Sequence, residues 1–119
     1  MRLVPKTEYK TVDKSWGYEV WIENNDEYCG KQLVFTREGG KTSLHFHVKK
    51  RETMFCMSGV FQISFSDTDT GEPCWVALSP GDSVEIPRNT PHSIICVRAG
   101  VLIEFSTHHE DSDSYRVSK

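Results

Sequence analysis

From residue 18 to residue 107 the chain alternates short apolar, β-branched and aromatic runs with residues that turn the backbone. The runs are YEVWIEN (18–24), KQLVFTR (31–37), TSLHFH (42–47), ETMFCMS (52–58), VFQISFS (60–66), PCWVALS (73–79), SVEIP (83–87), HSIICVR (92–98) and VLIEFST (101–107). Turn signals punctuate them, among them EGG at 38–40, DTDTGEP at 67–73, SPGD at 79–82 and RNTP at 88–91. Runs this short are strands, and so many at this spacing predict an all-β sandwich or barrel with little helix. In VFQISF the period of two is clean, with Phe61, Ile63 and Phe65 on one face and Gln62 and Ser64 on the other. A chain of 119 residues has room for one such domain and its core. Its parts are an N-terminal strand segment over about 1–30, a barrel over about 31–107 and a polar tail, HHEDSDSYRVSK, over 108–119. The tail's composition predicts a loosely ordered end.

Composition removes several function classes. A net charge of -3 and a pI near 5.9 give no general attraction to nucleic acid or to an anionic membrane. No apolar stretch approaches the roughly 20 residues of a membrane span. The opening MRLVPKTEYK lacks the apolar core of a signal peptide. The four cysteines are far apart and form no CxxC pair, so they read as reduced core residues in a cytoplasmic protein. Phe55, Phe61, Phe65 and Trp75 are expected in the core, whereas Phe46 should point away from it. Trp16, Tyr18, Trp21 and Ile22 carry more apolar surface than an edge segment should expose, which predicts a homodimer.

Two stretches carry chemistry. In GGKTSLHFHVKKRETMFCMSG (39–59), His45 and His47 are two residues apart on a strand, so both imidazoles face one way, with Glu52 close behind. In GDSVEIPRNTPHSIIC (81–96), Pro87 and Pro91 frame a loop and His92 opens the next strand. His45, His47, Glu52 and His92 together offer three nitrogens and one oxygen, a set that suits zinc, iron, manganese, cobalt or nickel and leaves positions open for substrate.

The pattern Gly39-x5-His45-x-His47-x4-Glu52-x6-Gly59 resembles the first cupin motif, and Gly81-x5-Pro87-x4-His92 resembles the second. Asn89 and Cys96 stand where the second motif usually has glycine and asparagine. The resemblance implies a jelly-roll barrel, the double-stranded β-helix, with one divalent metal inside its mouth on those four side chains. KSWGYEVWIENNDEYCGKQL (14–33) is similar to the entry segment of cupin-type mannose-6-phosphate isomerases and related sugar-phosphate cupins. That narrower resemblance implies a metal-dependent aldose–ketose isomerase of a sugar or sugar phosphate working through an enediolate. A non-catalytic sugar-binding cupin and an iron cupin dioxygenase are the alternatives. Glu104, on the face shared with Leu102 and Ser106, is the candidate base or else faces solvent; His108 and His109 are further candidates. Lys49, Lys50, Arg51 and Arg88 lie beside the ligands, where they bind a phosphate or are merely solvated.

Overall fold

The computed structural model describes residues 1–117. Eleven strands form two antiparallel sheets. In chain order they are β1 Lys10–Lys14, β2 Gly17–Asn24, β3 Cys29–Phe35, β4 His45–His47, β5 Glu52–Cys56, β6 Val60–Ser66, β7 Pro73–Leu78, β8 Ser83–Ile86, β9 His92–Arg98, β10 Gly100–Ser106 and β11 Ser114–Arg116. The six-stranded sheet runs β1-β2-β3-β10-β5-β8, and the five-stranded sheet runs β11-β4-β9-β6-β7. The only helical elements among the described residues are two single 3-10 turns, Lys6–Glu8 and Asp111–Asp113. The jelly-roll expectation therefore holds. Asn89 takes a left-handed backbone, φ 61°, which asparagine tolerates better than most residues.

Register places the site. Residues paired across neighbouring strands share a face, so each inner row can be followed across the sheet. One row reads Glu19, Leu33, Leu102, Cys56, and the next reads Lys10, Trp21, Lys31, Glu104, Met54, Val84. A third reads Asn24, Cys29, Ser106, Glu52, Ile86. The opposite sheet answers with Arg116, His45, His92, Phe65 and then with Ile94, Ile63, Val76. Along each strand the inner face thus passes from aliphatic to polar. Phe35, Phe61, Ile63, Cys56, Cys96 and Leu102 fill the apolar end, and the ionisable groups gather at the other. A register shift between Trp21 and Glu23 turns Ile22 outward and brings Asn24 onto the inner face.

Three expectations need correction. Trp16 is not surface: it is 4% exposed and stacks on Phe35 at 4.1 Å between ring centroids, so it belongs to the core. Gly17 makes this possible, because any Cβ there would run into the Val34 carbonyl. Trp75 is 63% exposed on β7, whose alternation turns it outward. Through residue 117 the tail is not loose, and residues 118–119 lie outside the described residues. Its strand β11 pairs with β4, Tyr115 stacks on Phe46, and the buried Asp113 carboxylate accepts the backbone N–H groups of Val48, Lys49 and Lys50. Short polar sequence hid this segment, since its order comes from a partner strand and not from its own composition.

Replacing Trp16 by alanine should cost about 3–5 kcal/mol of stability, the range for deleting a buried large aromatic. Urea unfolding checks this; a loss within about 0.5 kcal/mol would mark Trp16 as surface.

Candidate metal centre

β4 projects His45 and His47 inward, and β9 projects His92 beside them. The rings lie close together, at 5.0 Å for His45–His47, 4.6 Å for His45–His92 and 5.9 Å for His47–His92. One nitrogen from each lies within 4.8 Å of the other two. Each Nδ1 is occupied by a backbone carbonyl: Ser43 for His45 at 2.8 Å, Asp113 for His47 at 3.1 Å, and Thr90 for His92 at 2.8 Å. A carbonyl only accepts, so each Nδ1 carries the hydrogen and each Nε2 presents a lone pair. Burial, then the neighbouring His92, lowers the His45 pKa; burial, then the Lys50 ammonium, lowers that of His47 to about 4. The pair is therefore neutral near pH 7, the form that binds metal.

The donor set also fits a cation by what it lacks. His92 Nε2 is buried without a hydrogen bond and lies 3.0 Å from Glu52 Oε1, two acceptors facing one another. A divalent ion among the three imidazoles resolves that conflict. Holding each Nδ1 on a carbonyl is the arrangement that orients histidine ligands.

Glu52 stands at the edge of the triangle. Its Oε2 lies 3.1 Å from Lys50 Nζ, and the same ammonium reaches Glu104 Oε2 at 3.1 Å and His109 Nδ1 at 3.0 Å. Burial opposes charge on Lys50, yet Glu104 and Glu52 outweigh it and hold the lysine protonated above its ordinary range. Burial also opposes charge on Glu52, but the Lys50 ammonium holds it well below the usual carboxylate range. Glu104 goes the other way: burial and the Glu52 charge raise its pKa against Lys50 and Lys31. It is 4% exposed, so it does not face solvent. Ser106 Oγ donates to its Oε2, while Oε1 makes no hydrogen bond among the described residues.

His45, His47, Lys50, Glu52, His92 and Glu104 line one cavity of about 570 Å³. His109 lines it; His108 does not, and its Nδ1 donates instead to the Asn25 carbonyl. Lys49, Arg51 and Arg88 are likewise outside: Lys49 is exposed beside Glu110, and Arg88 Nε donates to the Lys49 carbonyl. Lys50 is inside but clasped by carboxylates. Sequence reasoning missed Lys31 and Asp113. The alternation Cys29, Lys31, Leu33, Phe35 on a buried face was a usable signal for Lys31; Asp113 offered none.

Residues 33–105 match the family described as Cupin domain. The chain belongs to the cupin family. No curated protein sequence matches it. Among solved structures, this cupin is similar to the capsular polysaccharide assembling protein CapF from Staphylococcus aureus, with TM-score 0.81, 20% identity, and coverage of 98% of this chain and 35% of CapF. It is similar to Bacillus subtilis oxalate decarboxylase at TM-score 0.81, with 18% identity and coverage of 94% and 31%. The Lactobacillus farciminis oxalate decarboxylase formate complex gives 0.79, 17%, 94% and 35%. The chain spans about a third of the length of each. At these identities the likeness concerns the fold.

Two outcomes follow for this centre. His47→Ala should abolish most metal uptake, read by elemental analysis, while the β-sheet circular dichroism persists, because the apolar end of the barrel supplies the core. In the metal-free protein, His47 and His109 titrate near 4 when folded and near 6.5 when unfolded. The unfolded state therefore binds protons first as pH falls, so their effect is to lower stability between about pH 6.5 and 4 and to leave it unchanged above that window. Urea midpoints at pH 7.5, 6.5 and 5 test the sign.

Proposed function

We propose that this cupin is a metal-dependent aldose–ketose isomerase acting on a sugar. The supporting observation is Glu104: a buried carboxylate with one free oxygen, raised pKa, and the same cavity as three converging histidines. His45, His47 and His92 would hold one divalent ion, with Glu52 as the fourth donor beside His92. Manganese is among the ions to try, since oxalate decarboxylase from Bacillus subtilis is described with Mn(II) centres. When bound, the ion supplies Lewis-acid stabilisation of the negative charge that develops on the substrate oxygens.

The remaining work falls to the chain. Glu104 Oε1 would take the proton from the carbon next to the carbonyl and return it to the neighbouring carbon. Lys50 and Ser106 hold Oε2, so the free oxygen is the one presented. The charge of Glu52 and burial raise the basicity of Glu104, moving it toward the range useful for proton abstraction. Lys50 limits that rise and returns a fixed positive charge to a site where two carboxylates would otherwise repel.

We also propose that the protein is a cytoplasmic homodimer. No helix among the described residues is long and apolar enough to cross a membrane. With Trp16 in the core, the dimer expectation rests on exposed Tyr18 and Ile22 beside edge strand β1. Light scattering at micromolar concentration should give twice the monomer mass; a monomer removes the proposal.

Glu104→Gln keeps shape and hydrogen bonding but removes the base. Turnover should fall by roughly two to four orders of magnitude, with metal content and sugar binding retained. The direct readout is deuterium uptake at C2 of the aldose in heavy water. If the wild type binds sugar yet exchanges no proton with any divalent metal tried, the isomerase reading fails and a sugar-binding cupin replaces it.

A further inference from the structure

The cavity is richer in positive charge than the acidic chain around it. Six cationic side chains line it against four carboxylates. Lys50 is already satisfied by Glu52 and Glu104. Lys31 is not. It is 2% exposed, and its ion-pair contact is longer than a hydrogen bond. Its one carboxylate neighbour, Glu19, is 3.6 Å away and also accepts from Trp21 Nε1 at 2.9 Å. A buried ammonium normally collects its hydrogen bonds, so this one has capacity left for a ligand.

A second ammonium is drawn to the same place. Lys10, Trp21 and Lys31 are successive neighbours across β1, β2 and β3, hence on one face. Lys31 Nζ lies 4.0 Å from the Trp21 ring centroid and Lys10 Nζ lies 4.2 Å from it. The indole offsets part of the repulsion between two like charges at one ring. Among the described residues Lys10 has no carboxylate within 4.0 Å. An anion in the cavity, lodged against both ammonium groups beside the indole, would satisfy both.

We propose that Lys31 and Lys10, gathered at Trp21, form a seat for a phosphate group on the substrate. This rests on, and deepens, the isomerase reading, because the same row continues to Glu104. Lys31 pairs with Glu104 directly, one strand away, and Lys10 is three strands away. At about 4.8 Å per strand, an anion against these lysines lies several carbon atoms from the carbon that Glu104 addresses. The phosphate is therefore carried at the end of the sugar remote from the carbonyl. The basic run Lys49–Arg51 and Arg88 have no part in it.

The test is calorimetric titration of inorganic phosphate, mannose 6-phosphate and mannose into the as-purified wild type, Lys31→Gln, Lys10→Gln and His45→Ala. Loss of a charged donor should raise the dissociation constant for phosphate and for mannose 6-phosphate by roughly tenfold in each lysine variant. Affinity for mannose should be unchanged. Phosphate binding should survive in His45→Ala, which separates the lysines from the metal. Should Lys31→Gln fail to fold, exposed Lys10 decides the matter. Phosphate binding lost only in His45→Ala, or mannose affinity falling equally in the lysine variants, overturns the seat. Lysine-dependent phosphate binding without proton exchange would overturn the isomerase and leave the seat. Exchange on mannose and its phosphate alike, indifferent to the lysines, would do the reverse.

Discussion

The ammonium of Lys50 is the interaction on which the polar end of this barrel depends. Glu52 and Glu104 lie on adjacent strands in adjacent inner rows, both buried, and neither can shed its charge without changing the site. Lys50 bridges them at 3.1 Å each. Removing one member of such a buried set leaves an uncompensated charge, at a cost of about 3–5 kcal/mol. The ammonium also divides the two carboxylates by role: Glu52 is held ionised beside His92, while Glu104 stays more basic. On the proposed function, a single cation thus prepares one carboxylate to be a donor to a metal and the other to accept a proton.

Lys50 is held in turn by backbone. The segment 48–50 leaves β4 in a tight bend, and three of its N–H groups converge on Asp113. Asp113 gives its carbonyl to His47 as well. One residue of the C-terminal strap therefore sets the direction of one of the three converging histidines and of the lysine that orders the carboxylates.

Much of this was legible in the chain. Period-two alternation predicted the strands and put His45 and His47 on one face, while the resemblance to the two cupin motifs brought His92 to them. The same alternation put Glu104 on one face with Leu102 and Ser106, and the structure turns that face inward. Where reading failed, the cause was tertiary. Lys50 sits in a charged run that would ordinarily be solvated, and only the two carboxylates from β5 and β10 make its burial tolerable. Trp16 looked like surplus apolar surface because its partner Phe35 is brought to it by a hairpin. The ordered tail depends on β4, a strand more than 60 residues earlier.

That last distance has a consequence for biosynthesis. His45 and His47 are synthesised well before His92, and His47 acquires its carbonyl partner only when Asp113 has left the ribosome. β11 then closes the outer edge of the five-stranded sheet over β4. Of the three imidazoles, His47 alone takes its carbonyl partner from this segment. Without Asp113 that one ring loses its fixed orientation and the 48–50 bend its anchor. The three-histidine arrangement is thus complete only once the segment through Asp113 is in place.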